Sequence, residues 1–530
     1  MNAKATVKKI LGDLPLTAET YWYLRQPGKP LNTSFKLNNI AAGLPAWTSL
    51  ASESAKKHPT GKQVLVFAVL HYWISHATLL GLVLAGLGHR VTIAYLPYSR
   101  WQEPIEPFDA RRQNLYARSV LRKARPLLQP VPFFKAGKVR NHLPADLETA
   151  VKEISLRDTQ YTLQVEEVDI ESELYRLRYE RNWQATSSAL TWMQEKPPDV
   201  VVIPNGSILE FGAVYRTADY LGIPTVTYEF GEQRQRIWVA QNAEVMRQNT
   251  EKVWAARSKR DLDEYQIDQV KALFTARQRG NLWENFARRW QEVPSSGGSS
   301  VRAALGLDSR PLILLATNVI GDSLTLGRQV FSDSMTEWLR NTVRYFSKKK
   351  NVQLVIRIHP GELITNGPSV SDVVQNSLPQ IPQHIHVVEA SAPVNTYDIV
   401  EAADLGLVYT TTVGLEMAMS GLPVIVVGNT HYRNKGFTLD PNSWDHYFGL
   451  LDQVIVAPDE FQLSKEQVES AWKYAYVFFF EYPLPFPWHL TRLSDDLVEW
   501  PFERVLSQEG LVQFGDTFRY LVGEPLEWLF

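Results

Sequence analysis

The feature that most constrains this chain is an alternation of short apolar runs with helical stretches, which occurs in two separate series. The first series begins at residues 63–70 (QVLVFAVL) and the second at residues 311–318 (PLILLATN). Apolar runs of this length predict strands buried on both faces, and strands that alternate with helices predict a parallel sheet. Two such series therefore predict an α/β protein with two doubly wound sheets.

The length of 530 residues exceeds what one hydrophobic core supports, so at least two domains are expected. Residues 294–300 (PSSGGSS) have the composition of a flexible linker. We predict a Rossmann-like N-terminal domain at 1–293, with a polar helical insertion at about 111–195, and a second Rossmann-like domain at 301–478. The tail at 479–530 begins with an aromatic run that is too apolar to remain solvated, so it is predicted to cross back to the N-terminal domain.

Composition excludes several classes of function. The chain has no cysteine, which rules out disulfides, thiolate metal sites and a cysteine nucleophile. The formal net charge of −2 gives no reason to expect a nucleic-acid partner. Residues 64–88 carry no charge over the length of a membrane span, yet they divide into a strand, a turn with two histidines and a helix. No signal-peptide core precedes Asp13. We therefore expect a cytoplasmic protein.

The most informative polar segment follows the predicted strand LGLVY and contains Thr410, Thr411 and Thr412. Hydroxyls and unpaired backbone N–H groups at the start of a helix form an anion site. Gly414 would let a phosphate approach the backbone, and Glu416 could accept hydrogen bonds from a ribose. The alternative is that the threonines form an ordinary helix N-cap and Glu416 favours the helix dipole.

Other polar residues also follow predicted strands. His359 ends the strand VQLVIRI and is fixed by a proline, with Glu362 in the turn. In the first series, His76 follows the first strand, Asn205 and Glu210 follow the strand VVVIP, and Glu229 ends the next strand. His76 and Glu229 could each accept a proton from an acceptor hydroxyl. A structural role is the alternative for each of them.

Several motifs of other enzyme classes are absent from the sequence. There is no GxGxxG in the first βα turn, no GxxxxGK[ST], no GxSxG and no HExxH. No DxD pattern occurs at a predicted strand end. We therefore expect neither a dinucleotide dehydrogenase nor a P-loop phosphotransferase, and no metal site or other cofactor is predicted.

The order of these motifs resembles bacterial capsule polysaccharide biosynthesis proteins, including the Kdo transferases of capsule assembly. The resemblance covers roughly residues 195–235 and 310–445. The segments that carry it are 204–206 (PNG), 222–232 (GIPTVTYEFGE), 357–362 (RIHPGE), 409–428 (YTTTVGLEMAMSGLPVIVVG) and 431–440 (HYRNKGFTLD). The chain departs from the pattern in having threonine where serine is more usual in the hydroxyl cluster.

The resemblance implies a GT-B fold, with two Rossmann-like domains facing each other across a cleft, and a metal-independent glycosyltransferase acting in surface or capsular polysaccharide synthesis. Its partners would be a nucleotide-sugar donor, CMP- or UDP-linked, and a glycan or lipid-linked glycan acceptor. A peripheral contact with the inner membrane face is left open. The implied donor-site residues are His359, Glu362, Thr410, Thr411, Thr412, Gly414 and Glu416.

The catalytic candidates are Glu229 and His76, and Asn205 and Glu210 are assigned to the acceptor side. Two alternatives share the architecture: a nucleotide-sugar epimerase of the 2-epimerase type, and a non-catalytic GT-B module that binds glycans. The sequence leaves open the sugar, the acceptor, the stereochemical course and the oligomeric state.

Overall fold

The structure is a computed structural model of the chain. It describes residues 3–31, 35–135, 142–231, 233–279, 293–365, 367–526 and 528. The chain divides into two compact units. The first unit comprises residues 1–159, 169–246 and 483–527, and the second comprises residues 160–168, 247–482 and 528–530.

Twelve strands occur in the described residues. In chain order they are β1 Gln63–Val69, β2 Arg90–Leu96, β3 Leu128–Pro132, β4 Val200–Pro204, β5 Thr225–Glu229, β6 Arg236–Gln241, β7 Leu312–Ala316, β8 Gln353–Arg357, β9 Ile385–Val388, β10 Leu405–Val408, β11 Val424–Val426 and β12 Leu484–Pro485.

The α-helices of the described residues are, in chain order, α1 Ala3–Asp13, α2 Thr17–Arg25, α3 Asn38–Ala41, α4 Leu44–Ala55, α5 His71–Gly86, α6 Pro107–Leu121, α7 Ala145–Leu163, α8 Glu173–Glu195, α9 Leu209–Tyr220, α10 Glu251–Arg257, α11 Glu264–Gln278, α12 Gly298–Ala304, α13 Met335–Phe346, α14 Val370–Ser377, α15 Thr396–Ala402, α16 Val413–Met419, α17 Trp444–Val456, α18 Lys465–Tyr476, α19 Leu493–Glu499, α20 Phe502–Val505 and α21 Gln508–Leu521.

Each unit is built on one sheet. The sheet of the first unit has the order β3-β2-β1-β4-β5-β6-β12, and its first five strands are parallel, whereas β6 and β12 are antiparallel additions at one edge. The sheet of the second unit has the order β9-β8-β7-β10-β11, with parallel pairing throughout. The predicted α/β class with two Rossmann-like, doubly wound sheets is confirmed.

The central strands are apolar because helices cover both faces of each sheet. All residues of β4 and β7 are buried, as are all of β1 after Gln63. On α5, Gly81 lies so close to β2 that a Cβ there would meet Ile93 Cδ1 at 2.7 Å. Small residues on α5 therefore let the helix pack closely onto the sheet. None of the helices in the described ranges is long and apolar enough to cross a bilayer.

The strand orders also fix where ligands are expected. In each sheet the chain runs outward in one direction and then returns to the other side of the first strand, so a switch point lies between β1 and β4 and another between β7 and β10. Ligands of doubly wound folds bind beyond the carboxyl ends of the strands at this point. The loops after these four strands are therefore where a functional site is sought.

The compact units divide the chain differently from the predicted boundary at residue 293, because the main segment of the second unit starts at Arg247. The Gly/Ser segment is not a free linker either. Ser296 N and Ser296 Oγ donate to Asp398 Oδ2 at 2.8 and 3.0 Å, and Gly298 N donates to Glu401 Oε2 at 3.1 Å. Its small residues thus serve a close contact with α15 rather than flexibility.

The predicted insertion at about 111–195 also needs correction. It contains β3, an edge strand of the first sheet that two prolines disguise in the sequence. Residues 160–168, which are the last turn of α7 and the first part of the connection to α8, belong to the second unit. There Glu166 accepts from the backbone N–H groups of Met335 and Thr336 at 2.8 and 2.9 Å, which caps α13.

The tail supplies the last elements of the first unit. Leu484 and Pro485 of β12 pair with β6, and Thr517 of α21 donates to the carbonyl of Pro485 at 2.7 Å. Trp488 and Trp500, which the aromatic composition made conspicuous, are buried in this unit. Their burial explains why the run is apolar.

Candidate functional site

Three loops of the second unit are joined at the switch point between β7 and β10. Asn318, two residues beyond β7, accepts with its side-chain oxygen from the backbone N–H of Thr410 at 3.2 Å. Its neighbour Thr317 accepts with its hydroxyl from the backbone N–H of His359 at 3.1 Å. Because Thr317, His359 and Thr410 follow β7, β8 and β10, these bonds hold the carboxyl ends of three adjacent strands together.

The hydroxyl of Thr410 is the most informative group in this cluster. Thr410 is only 5% exposed, and its Oγ1 atom has no hydrogen-bond partner among the described residues. A buried hydroxyl left without a partner costs about 1–3 kcal/mol. Buried polar groups are normally satisfied, so an exception at a strand end calls for an explanation. A ligand oxygen placed at this point would supply the missing partner.

Thr411 and Thr412 are partly exposed beside it. Thr412 occupies the N-cap position of α16, yet its side chain makes no capping hydrogen bond. The carbonyl of Thr411 accepts from the Tyr432 hydroxyl at 2.6 Å, which fixes the backbone of the turn. The simple N-cap alternative is therefore not what the structure contains. The hydroxyls of Thr411 and Thr412 stay predicted donor contacts.

Gly414 has a structural reason to be glycine. A Cβ at this position would lie 2.4 Å from the Tyr432 hydroxyl and 2.9 Å from Val408 Cγ2. Close packing against Tyr432 is therefore one reason for glycine at this position. The phosphate contact predicted for Gly414 stays a prediction.

Glu416 is buried and forms an ion pair with Arg277 of α11. A buried carboxylate beside a guanidinium is expected to stay charged, because the pair compensates part of the desolvation. The ribose contact predicted for Glu416 stays a prediction, and the structure adds Arg277 as the group that holds this carboxylate.

His359 and Glu362 divide into different roles. The Nδ1 atom of His359 accepts from the backbone N–H of Gly361 at 2.9 Å, an assignment that places the ring proton on Nε2. Glu362 accepts from the backbone N–H of Val370 at 2.7 Å and so caps α14. Burial raises the pKa of Glu362. The donor-site roles predicted for His359 and Glu362 stay predictions, and the structure adds a capping contact between Glu362 and α14.

Arg357, on β8 just before this turn, is a buried cation whose hydrogen bonds go to the loop before α15. Its guanidinium donates to the carbonyls of Glu389 and Val394 at 2.6 and 3.2 Å and to the Thr396 hydroxyl at 3.3 Å. Burial lowers its pKa. Arg357 therefore holds the loop before α15 rather than presenting its charge to a ligand.

In the first unit, the loops that flank the switch point contain unusual backbone. Leu70, directly after β1, has φ 67°, and Asn205 and Leu209, after β4, have φ 57° and 53°. Positive φ is costly for residues other than glycine, and such strain is concentrated at functional sites. The two loops meet at the same switch point, since β1 and β4 are neighbours in the sheet.

Glu229, the last residue of β5, is the carboxylate next to the loop that follows β4. Its Oε2 atom accepts from the Asn205 side-chain amide at 2.9 Å, and its Oε1 atom accepts from the backbone N–H of Phe230 at 3.0 Å. The oxygen of Asn205 accepts in turn from the Ser207 hydroxyl at 2.6 Å. Burial raises the pKa of Glu229 although both hydrogen bonds oppose the shift. The group is thus a positioned carboxylate that takes up a proton more readily than usual.

The structure gives His76 the surroundings of a core residue, which argues against its predicted catalytic role. His76 lies inside α5 with no exposed surface, and its ring is surrounded by those of Trp73, Tyr228, Phe230 and Phe486. Burial lowers its pKa to about 3, so it is neutral at pH 7. A general base must reach the proton that it accepts, and this imidazole reaches only core residues.

The structure also argues against the predicted acceptor role of Glu210, because the residue is fully buried in an ion network. Arg178 lies 3.1 Å from Glu210 Oε1 and donates to Asp158 Oδ2 at 2.9 Å, and all three side chains are inaccessible. Asp158 also accepts from the backbone N–H of Leu209 at 2.6 Å. The network joins α7, α8 and the start of α9, which is a structural role.

Sequence reasoning missed two residues at the switch points. Asn318 lies two residues beyond the end of β7. This position after a strand is visible in the sequence, but the prediction relied on the threonine cluster instead. His71 is the first residue after Leu70, and its Nδ1 atom is buried without a hydrogen-bond partner in the described part of the chain. Burial lowers the pKa of His71. A histidine at the strand end itself was thus a better candidate than His76, which lies more than one helical turn further along.

No protein-family model and no curated protein matches the sequence. Among solved structures, two of KpsC from Thermosulfurimonas dismutans are similar to it. The β-Kdo 2,4-transferase is 14% identical, with 55% of this chain and 82% of that chain covered and a TM-score of 0.32. The β-Kdo 2,7-transferase is 13% identical, with 62% and 97% covered and a TM-score of 0.33.

A third similar structure is UDP-GlcNAc 2-epimerase from Neisseria meningitidis bound to UDP-GlcNAc. It is 12% identical, with 78% of this chain and 97% of that chain covered and a TM-score of 0.25. TM-scores of this size carry no functional conclusion. The fold is therefore defined by the strand orders of the chain itself.

Proposed function

We propose that this protein is a glycosyltransferase that uses a nucleotide-sugar donor and acts in bacterial surface or capsular polysaccharide synthesis. The observation that carries the proposal is the unpartnered hydroxyl of Thr410 at the switch point of the second sheet. It lies in a loop tied through Asn318 to the end of β7, and the turn at His359 is tied to the same end by Thr317. A phosphate oxygen would satisfy this hydroxyl.

The donor site would work through neutral hydrogen-bond donors. Thr410, Thr411 and Thr412 supply hydroxyls, and His359 supplies the N–H of Nε2. Pre-positioned donors of this kind stabilise the charge that develops on a leaving phosphate without having to reorganise. On this account no metal ion is required, and no cofactor is needed besides the sugar nucleotide. A panel of CMP- and UDP-linked sugars would show which of the two nucleotides the donor carries.

The acceptor chemistry is assigned to the first unit. In a single-displacement reaction, Glu229 accepts the proton of an acceptor hydroxyl, and the acceptor oxygen forms a bond to the anomeric carbon. The bond from that carbon to the phosphate oxygen breaks, and its electron pair leaves with the nucleotide. Asn205 would orient the carboxylate, and the raised pKa of Glu229 makes it a better base than an exposed carboxylate.

The substrate class follows the resemblance of residues 357–362 and 409–428 to capsule proteins, so a glycan or lipid-linked glycan made in the cytoplasm is the proposed acceptor. The 2-epimerase alternative differs in one respect that can be measured. An epimerase changes the sugar of the nucleotide sugar without transferring it to an acceptor.

The donor site is tested by Thr410→Val, which removes the hydroxyl and keeps the shape of the side chain. We expect the melting temperature to hold and nucleotide affinity to fall by about 1–3 kcal/mol, measured by calorimetry with CMP and UDP. Thr342→Val is the matched control, because its buried hydroxyl is bonded to Tyr447 at 2.9 Å in the core. The control is expected to lose stability and keep its affinity. Equal nucleotide affinity in Thr410→Val and wild type would remove the basis of the proposal.

A further inference from the structure

Exposed apolar side chains are concentrated at the start of the chain. Nineteen large apolar side chains are exposed in the described residues, and seven of them fall between residues 7 and 24. These seven are between 45% and 74% exposed. They are called the N-terminal apolar face, and its members are Val7, Ile10, Leu14, Leu16, Tyr21, Tyr23 and Leu24. Clusters of this kind mark interaction sites more often than isolated exposed residues do.

The helical spacing shows that this exposure is organised. Val7, Ile10 and Leu14 stand at i, i+3 and i+7, so they share one side of α1 and its C-terminal extension. On α2, Tyr21 and Leu24 also stand three residues apart and are both exposed. The Tyr21 ring also makes an edge contact with an aromatic ring of α6. Both short helices thus carry an apolar stripe toward solvent.

Polar contacts occupy the side of these helices that packs on α6. Lys8 forms an ion pair with Asp109, and Arg111 forms one with Glu19. Arg111 also donates to the carbonyl of Gly12 at 2.9 Å. Gly12 itself is pressed against α6, since a Cβ there would lie 2.8 Å from the backbone nitrogen of Phe108. These contacts fasten α1 and α2 to α6, while the seven apolar side chains of the face stay exposed.

The charges around this face have one predominant sign. Residues 1–36 contain six Lys or Arg against two Asp or Glu, whereas the whole chain has a net charge of −2. Of the acids in this segment, Glu19 is paired with Arg111. Arg25, Lys29 and Lys36 are exposed beside the apolar residues. The partly exposed tyrosine rings of this face are amphipathic and suit the boundary between lipid and water.

We propose that the N-terminal apolar face docks on an anionic lipid surface, with α1 and α2 lying in the plane of the interface. Apolar side chains enter the acyl boundary, while Arg25, Lys29 and Lys36 meet lipid phosphates. A protein partner would not require the basic surround, and a bilayer with anionic headgroups uses both features. This inference goes beyond the transferase proposal and does not depend on it.

The test is co-sedimentation of the full chain with vesicles of phosphatidylethanolamine containing phosphatidylglycerol, compared with vesicles of phosphatidylcholine alone. Wild type is expected to bind the anionic vesicles and to be released by salt, which screens the basic residues. Replacing Val7, Ile10 and Leu24 together by serine is expected to weaken binding ~10-fold or more. The matched control replaces Val456, Val498 and Val512 by serine, which are equally apolar and exposed elsewhere, and keeps binding.

A second set of variants separates the contribution of the basic residues from that of the apolar side chains. Arg25→Glu with Lys29→Glu is expected to abolish the preference for anionic vesicles, whereas Lys348→Glu with Lys350→Glu, the same charge change at another exposed site, leaves it intact. The proposal is overturned if the triple serine variant binds like wild type. It is also overturned if sedimentation velocity shows that this variant loses self-association instead of vesicle binding. Nucleotide calorimetry on the same variants stays unchanged, so failure here is distinct from failure of the donor site.

Discussion

At the scale of single residues, the account depends on side chains that stand at strand ends and have unmet or shifted chemistry. Thr410 has an unsatisfied hydroxyl, and Glu229 has a raised pKa within a hydrogen-bonded cluster. Each follows directly from its position after a parallel strand, which the sequence pattern indicated. The sequence pattern could not predict the hydrogen-bond partners of Thr410 and Glu229, because those partners follow other strands of the sheet.

The role of Glu229 is tested by Glu229→Gln, which keeps the size of the side chain and removes the charge. We expect transfer to fall by ~10²-fold while nucleotide affinity is kept. Because the pKa of Glu229 is raised, the wild-type rate should climb with pH as the carboxyl deprotonates, above the range of an ordinary glutamate, and this limb should vanish in the variant.

The control for this prediction is Glu53→Gln, an exposed glutamate that pairs only with its neighbour Lys56 on α4. It should leave both the rate and its pH dependence unchanged. If Glu229→Gln transfers sugar at the parent rate, Glu229 is a structural residue, and His71→Ala becomes the next variant to assay.

At the scale of elements, the two predicted site residues that the structure buries, His76 and Glu210, have a position in common. His76 and Glu210 both follow a strand in sequence, but each lies within a helix and points into the core. In α5 the residue at the strand end is His71, and five positions further the helix has turned toward the sheet. The distance of a residue from a strand end therefore predicts which connection it belongs to. It does not predict whether the side chain points toward the core or toward solvent.

The buried state of His76 has a measurable pH consequence. Its pKa is lowered to about 3, so the unfolded chain takes up a proton below pH 6.5 that the folded chain does not. Stability from this group is therefore full above pH 6.5 and is lost as the pH falls toward 3. His76→Phe should reduce the loss of stability between pH 6.5 and pH 5 by at most about 2 kcal/mol, measured by urea unfolding. Transfer activity of His76→Phe at pH 7.5 should be unaffected. A large loss of activity would favour the catalytic role that the sequence suggested for His76.

The ion network of α7, α8 and α9 gives a second test at this scale. Glu210→Gln should lower stability by about 1–3 kcal/mol, because one buried ion pair with Arg178 is lost. Arg178→Met should cost more, about 3–5 kcal/mol, since it leaves two buried carboxylates without their cation. The KM for the acceptor should stay at the parent value in the folded Glu210→Gln protein. A raised KM with unchanged stability would favour the acceptor role that the sequence suggested.

At the scale of the whole molecule, the two sheets were predictable because their strands are buried on both faces and read as apolar runs. The strand β3 escaped prediction since its prolines suit an edge position. The linker was misjudged for a related reason, because small residues permit close packing as well as flexibility. Segment 160–168 joins the second unit through Glu166 on the N-terminus of α13, a long-range contact that no local pattern announces.

The central claim is tested most directly by incubating the protein with a panel of CMP- and UDP-linked sugars, with and without glycan and glycolipid acceptors, and following sugar and nucleotide by mass spectrometry. The account predicts that one donor is consumed, that its sugar appears on an acceptor with release of the nucleotide, and that EDTA leaves the rate unchanged. Consumption should fall in Thr410→Val and in Glu229→Gln. Conversion of a nucleotide sugar to its epimer without transfer, or no consumption of any donor by the folded wild-type protein, would contradict the account.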